Sequence, residues 1–137
     1  MAGEIAELMA RLVQAWNAHD LEAIAACYAP DYIGVDVAEA TQKYGSRGAR
    51  SAASRYLGAF PDLQITGDPV IQDTQVALVW TLRGTHQGLF LRIPPSGRAI
   101  VVRGVTLLTV RDDRIIQGDC IWDVAGFLRT IGLLPEL

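Results

Sequence analysis

Val76-Ala77-Leu78-Val79-Trp80-Thr81-Leu82-Arg83-Gly84-Thr85-His86 carries a two-residue rhythm. Thr81, Arg83 and Thr85 hold odd positions, while Val76, Leu78, Trp80, Leu82, Gly84 and His86 hold even ones, the pattern of a strand with one buried face. Toward the C-terminus the same rhythm returns in Ala99 to Val110, where Ile100, Val102, Gly104, Thr106 and Leu108 are even, and in Ile115 to Trp122, where Ile116, Gly118, Cys120 and Trp122 are even. The even face is therefore expected to point inward on all three strands. Arg111-Asp112-Asp113-Arg114 is polar and short enough to join the last two as a hairpin. A brief helix from Val124 to Ile131 is closed by Gly132. Upstream, Leu63 to Thr66 and Val70 to Gln72 predict a broken strand.

The first half follows a helical period. Ile5, Leu8, Met9, Leu12, Val13 and Trp16 form one stripe and predict a helix from Glu4 to Asn17. Asp20 caps a second, Leu21 to Tyr28, which Ala29-Pro30 stops. Tyr32 to Val37 reads as a short strand, and the parity rule turns Tyr32 and Asp36 inward. The polar stretch Glu39 to Gly48 is expected to be a loop, followed by a third helix from about Ala49 to Phe60 that Pro61-Asp62 ends. Helices first and antiparallel strands after them predict a single α+β domain over residues 1–137, three helices covering one face of a curved, mostly antiparallel sheet.

Composition narrows the function. The chain has 137 residues, half of them apolar, and a formal net charge of −3, which lacks the basic excess of a nucleic-acid binder. No apolar run approaches the roughly 20 residues of a membrane helix. The Met-Ala-Gly-Glu-Ile start has no basic segment followed by an apolar stretch, so a cytoplasmic location is expected. Two isolated cysteines, Cys27 and Cys120, make neither a disulfide framework nor a zinc site, and no nucleotide-binding glycine motif occurs, so neither metal nor cofactor is expected. Val101, Val105, Leu107 and Ile121 would leave the outer sheet face more apolar than a monomer tolerates, which predicts a homodimer through that face.

If the even face lines a cavity, its polar members are Tyr32, Asp36, His86, Thr106 and Cys120. Asp36 and His86 are the pair suited to moving protons near neutral pH. Cys120 reads more simply as a small buried hydrophobe, and Asp119 and Asp123 as outward-facing acids. Trp16, Trp80 and Trp122 read singly as core, but converging on one cavity they would suit a flat aromatic ligand.

The run Gly84-Thr85-His86-Gln87-Gly88-Leu89-Phe90-Leu91-Arg92-Ile93-Pro94-Pro95-Ser96-Gly97-Arg98 resembles the GTHxGxFxGIPPTGR segment of the SnoaL-like polyketide cyclase family, within the nuclear transport factor 2-like superfamily. Ala15-Trp16-Asn17, Phe60-Pro61-Asp62-Leu63 and Leu128-Arg129-Thr130-Ile131-Gly132 resemble its AWN, FPDL and LRQLG pieces, so the likeness spans essentially the whole chain. The resemblance implies a cone-shaped α+β barrel with a deep apolar pocket, usually dimeric, and cofactor-free aldol ring closure of an aromatic polyketide ester. Two positions depart from the family. Cys120 stands where it commonly has its acid/base Asp, so either a one-residue bulge lets Asp119 serve or the carboxylate is lost; Thr106 stands where the cyclase has a pocket His. His86 matches the motif's His, and Asp36 lies near the general base of ketosteroid isomerases in the same superfamily. Candidate catalytic residues are thus Asp36, His86 and Asp119. Trp16, Tyr32, Trp80, Thr106, Cys120 and Trp122 are candidates for contact with a hydrophobic, polycyclic substrate. Alternative readings keep the pocket and change the chemistry to a hydroxylase, isomerase or epoxide hydrolase, or make the chain a non-catalytic ligand-binding module.

Overall fold

The computed structural model describes residues 2–136. Helix α1 (Ala2–Asn17) buries the expected stripe of Ile5, Leu8, Met9 and Leu12. In α2 (Leu21–Ala26) the Asp20 carboxylate accepts a hydrogen bond from the Ala23 amide at 3.0 Å, a side-chain N-cap. This helix ends two residues earlier than expected because Tyr28 already belongs to strand β1 (Tyr28–Asp36). Residues 39–48, expected as a loop, instead form strand β2 (Glu39–Tyr44) and the first turn of α3 (Gly45–Ala59). The strand is polar because it is an edge, and it pairs antiparallel with β1 through Ile33↔Tyr44, Gly34↔Lys43 and Asp36↔Glu39.

The long meander follows as β3 (Gln64–Gln72), β4 (Gln75–Thr85), β5 (Ala99–Arg111) and β6 (Arg114–Trp122), then α4 (Val124–Thr130). The expected break in β3 is absent: it pairs with β4 continuously from Gln64↔Arg83 to Gln72↔Gln75. Pro69 is accommodated because β3 is an edge strand, where a missing N–H need cost no ladder bond. The order is β2-β1-β6-β5-β4-β3, with β1 and β6 parallel and every other pair antiparallel. The sheet does not close, and β2 and β3 are its edges. The architecture is the expected α+β fold, the three expected helices and the brief C-terminal one making four among the described residues.

The parity rule holds along β4 and β5, where Val76, Leu78, Leu82, Ile100, Val102 and Leu108 are buried. In β6 a bulge corrects it. Thr109 pairs with Gln117 and Val110 with Ile115, so Ile116 is the extra residue, and the inward set becomes Ile115, Gly118, Cys120 and Trp122. The interior forms two apolar clusters. One joins α1 and α2 to the ends of β4, β5 and β6 around Leu8, Ile24 and Ile115, and the other gathers Phe60, Phe90, Trp122 and Phe127. Among the described residues no helix is long and apolar enough to cross a membrane.

Candidate active site

Between the two clusters lies a cavity of about 140 Å³. Its walls come from all six strands and from α1 and α3; they are mostly apolar, with Trp16, Ile65, Leu78, Trp80, Leu82 and Leu108 among them. The size matches a cavity of roughly 150 Å³ that admits one benzene ring. An aromatic ring fits inside, and a larger ligand must extend through the mouth.

Asp36, the last residue of β1, faces this cavity as the sequence parity requires. Three donors fix its carboxylate: the Ala38 amide at 2.8 Å and Trp122 Nε1 at 3.0 Å donate to Oδ1, and the Tyr56 hydroxyl donates to Oδ2 at 2.5 Å. Among the described residues Asp36 has no ion-pair partner, so neutral groups hold it in place. Trp122 is accordingly not a wall of the cavity; 7% exposed, it stands behind the wall and orients Asp36. Tyr56 was not foreseen as a site residue. Burial first, then the nearby Asp36 charge, holds its phenol far above the ordinary range, so it remains a donor.

The other expected contact residues Trp16, Tyr32, Trp80, Thr106 and Cys120 all line the cavity. Trp80 Nε1 donates to Thr106 Oγ1 at 2.9 Å, leaving the threonine proton free to point elsewhere. The Tyr32 phenol lies across Gly34 and Gly118, which are register partners on β1 and β6. A Cβ at Gly34 would overlap the tyrosine ring and one at Gly118 would lie 2.7 Å from its hydroxyl, so both glycines make the slot that the ring occupies. Burial, then a Cys120 thiolate that forms only in the same alkaline range and the Asp36 charge, push Tyr32 up to about 12. Burial, then the Asp36 charge, likewise raise Cys120 to about 12, so its thiol stays protonated.

Two expected catalytic residues are elsewhere. Asp119 shares the outer face with Ile121, because the bulge at Ile116 sets the parity that turns Cys120 inward. His86 is completely buried but forms no part of the cavity wall. It lies just past the end of β4, where the interior is filled by Phe60 and Phe127, with ring centroids 5.9 and 5.5 Å from the imidazole. Its Nδ1 accepts from the Ser96 amide at 3.2 Å and contacts Ser96 Oγ at 2.9 Å, which places the ring proton on Nε2. Burial lowers its pKa, opposed in part by the Gly88 backbone. The expected hollow shared by His86 and Cys120 is therefore absent: His86 ties down the 86–98 loop, and Cys120 alone reaches the cavity.

That loop still serves the site. Gly88 passes so close to α3 that a Cβ there would lie 2.1 Å from the Gly58 carbonyl oxygen, and the Gln87 and Gly88 amides both donate to Ala59 O at 3.0 and 3.1 Å. Phe90 is thereby set against Tyr56 and Trp122, at centroid distances of 5.1 and 6.0 Å, and these are the two side chains that hold Asp36.

The unforeseen strand β2 adds charge. Its inward residues Glu39 and Lys43 line the cavity beside Asp36, with Lys43 Nζ 3.1 Å and Arg55 Nη2 2.9 Å from Glu39 Oε2.

The chain belongs to the SnoaL-like polyketide cyclase family, whose model matches residues 6–131. A search of curated proteins finds no significant match. Among solved structures it is similar to AclR, a candidate hydroxylase from Streptomyces galilaeus, with 29% identity, a TM-score of 0.84, and 100% of this chain and 89% of that one covered. It is similar to IdmH, a candidate polyketide cyclase from Streptomyces antibioticus, with 29% identity, a TM-score of 0.79, and 93% and 97% covered. A Catenulispora acidiphila protein of ketosteroid isomerase-like fold, 19% identical with a TM-score of 0.80 over 93% and 94% of the two chains, shares the fold.

Proposed function

We propose that the protein is an acid/base enzyme of the polyketide cyclase type, acting on a hydrophobic aromatic polyketide-like substrate with Asp36 as general base. The reading rests on one observation: Asp36 is a carboxylate at the wall of an apolar cavity, fixed by three donors and unpaired with any cation among the described residues. Its placement adds support. Asp36 is the cross-strand register partner of Cys120, the position where the resemblance puts the family's acid/base Asp, so the base moves one strand sideways on the same face.

In this mechanism Asp36 takes the proton from a carbon alpha to a carbonyl. The hydroxyls of Thr106 and Tyr32 stabilise the enolate oxygen, the enolate carbon attacks a second carbonyl to close a ring, and the protonated Asp36 returns its proton to the new alkoxide. Only acid and base groups are required. A second reading, hydroxylation of a quinone-like polyketide in the same cavity, is favoured by the 29% identity to AclR over the full chain and by Cys120 in place of Asp.

The test uses an aromatic β-ketoester in heavy water, with deuterium entering the alpha carbon followed by NMR. Asp36→Asn, which preserves shape, should slow exchange by about a hundredfold or more, while Asp119→Asn stays near the parent rate. Exchange at the parent rate in Asp36→Asn refutes the assignment, and turnover that requires oxygen and a reductant selects the hydroxylase.

We also propose that a second copy covers the outer sheet face, where Ile33, Val101, Leu107 and Ile121 are 44%, 54%, 46% and 43% exposed. This face is continuous across β1, β6 and β5, so it can pair with itself about a two-fold axis.

A further inference from the structure

Three polar side chains of β1, Tyr28, Tyr32 and Asp36, line the cavity at every fourth position. They run along its length. Tyr28 packs against the cluster around Leu8, Ile24 and Ile115, whereas Tyr56 and Trp122, which hold Asp36, pack in the other cluster. Tyr32 lies between, its ring 4.7 Å from that of Tyr28 and its hydroxyl over Gly34 and Gly118. The charged wall residues Asp36, Glu39 and Lys43 stand together away from Tyr28, because β2 pairs with β1 only from Ile33 onward. The Tyr28 end is otherwise apolar, with Leu12, Ala53 and Leu108 in its wall. Among the described residues nothing hydrogen-bonds the Tyr28 or Tyr32 hydroxyl, and neither oxygen is sealed in, since the enclosed polar side-chain atom left without a partner is His86 Nε2. Both phenols therefore open on the cavity. Burial holds the Tyr28 phenol well above its ordinary range, so at neutral pH it is a donor that no protein acceptor uses. A half-buried donor of this kind gains most from an acceptor that the ligand brings with it.

We infer that the Tyr28 end of the cavity is a subsite for an uncharged oxygen on the substrate's aromatic ring, a phenol or quinone oxygen placed away from the carbon that Asp36 deprotonates. The ring enters oxygen first. Tyr28 donates to that oxygen, Tyr32 and Thr106 donate to the enolate oxygen, and Asp36 faces the alpha carbon, so each of the three groups on β1 has its own substrate atom. An anionic oxygen is disfavoured there, because no cation of the cavity wall stands at that end to offset its burial. The inference rests on the reading of this cavity as the substrate site, and it narrows that reading from any hydrophobic aromatic polyketide to one whose ring is oxygenated opposite the keto arm.

Isothermal titration calorimetry on the intact chain, with para-hydroxyacetophenone and with acetophenone, which lacks the ring oxygen, tests the subsite at about pH 6, well below the ordinary phenol range. The hydroxylated probe should bind about fivefold more tightly, the ratio expected of one neutral hydrogen bond. Tyr28→Phe should erase the preference by weakening para-hydroxyacetophenone alone. Its Tm should match the parent's, because no protein group uses the hydroxyl that is removed. Equal affinity of the two probes for the parent, binding of neither, or a preference that survives Tyr28→Phe overturns the subsite, as does a Tyr28→Phe protein that loses stability along with the preference. If the subsite fails while Asp36→Asn still slows alpha-carbon exchange, proton abstraction stands without it. If the preference follows Tyr28 while Asp36→Asn exchanges normally, the subsite stands and the base assignment fails.

Discussion

Replacing Arg92 by glycine should make the protein more stable. The turn Phe90-Leu91-Arg92-Ile93 closes with Phe90 N donating to Ile93 O at 3.1 Å and Ile93 N donating to Phe90 O at 2.7 Å. Both central residues are left-handed, with φ of +51° at Leu91 and +64° at Arg92. The motif that this loop resembles has glycine where Arg92 stands. A side chain in that region costs about 1 kcal/mol, and the Arg92 side chain is exposed, with no ion pair among the described residues to lose. Glycine returns part of the gain, roughly 0.5 kcal/mol, through a freer unfolded chain. The net stabilisation is about 0.5 kcal/mol, a rise in Tm of roughly 2 °C for a domain of this size. Thermal unfolding followed by circular dichroism measures it, with Arg92→Ala as the control that keeps Cβ and hence the strain. The aromatic near-ultraviolet signal should persist, since Phe90 still rests on Tyr56 and Trp122. An Arg92→Gly protein no more stable than Arg92→Ala would refute the argument that backbone strain resides in this turn.

The remaining expectations concern the interface, the buried imidazole and the thiol. Leu107→Lys on the outer face should convert the proposed dimer to monomer in sedimentation velocity; an unchanged sedimentation coefficient refutes that interface. His86 has its pKa lowered by burial, so the folded state resists a proton that the unfolded chain takes up at about its ordinary value of 6.5. Stability from this group is therefore complete above about pH 6.5 and declines as pH falls below it. The parent should lose more denaturation free energy than His86→Gln between about pH 7 and pH 5. Cys120, raised to about 12, should react with iodoacetamide very slowly at neutral pH and tenfold faster per pH unit on the alkaline side, as read by peptide mass spectrometry. Rapid labelling of Cys120 at pH 7 would contradict a buried, protonated thiol.

The alternation of β4 and β5 was legible because each buries one face against helices, and period two admits only two assignments. The same rule placed Asp36, Tyr32, Thr106 and Cys120 on the cavity side. Strand β2 was not legible: Glu39 to Tyr44 has no apolar alternation, since an edge strand gains its order from pairing with β1 rather than from burial. With it went Glu39 and Lys43. Nothing local in sequence shows that the hydroxyl of Tyr56, on α3, meets Asp36 twenty positions away.

The segments that carry the family resemblance proved to be fasteners. Asn17 of Ala15-Trp16-Asn17 pairs its amide with both backbone groups of Ile65, at 2.9 and 2.7 Å. Asp62 of Phe60-Pro61-Asp62-Leu63 accepts from the Thr85 amide and hydroxyl, both at 2.7 Å. Arg98 donates to Thr130 O at 2.9 Å, joining the loop to α4. Motif strength therefore predicted the fold well, while the His86 that it singles out lies outside the cavity wall and is bonded to Ser96 of its own loop.

The placement of a base in this cavity is constrained by the sheet. Asp36 and residue 120 are register partners on the parallel pair β1 and β6, and both face inward. Two carboxylates on such neighbouring positions repel, and one of them would hold its proton at neutral pH. An acid at 36 and an acid at 120 are thus alternatives more than companions, and Cys120 contributes no charge of its own. The one-residue bulge at Ile116 enforces the choice: without it Ile115 would share a face with residues 117, 119 and 121, turning Asp119 and Ile121 inward in place of Cys120 and Trp122. Trp122 would then no longer reach Asp36 Oδ1. The bulge, the thiol and the Trp122 hydrogen bond therefore form one arrangement, which leaves a single carboxylate inside the apolar part of the cavity and orients it.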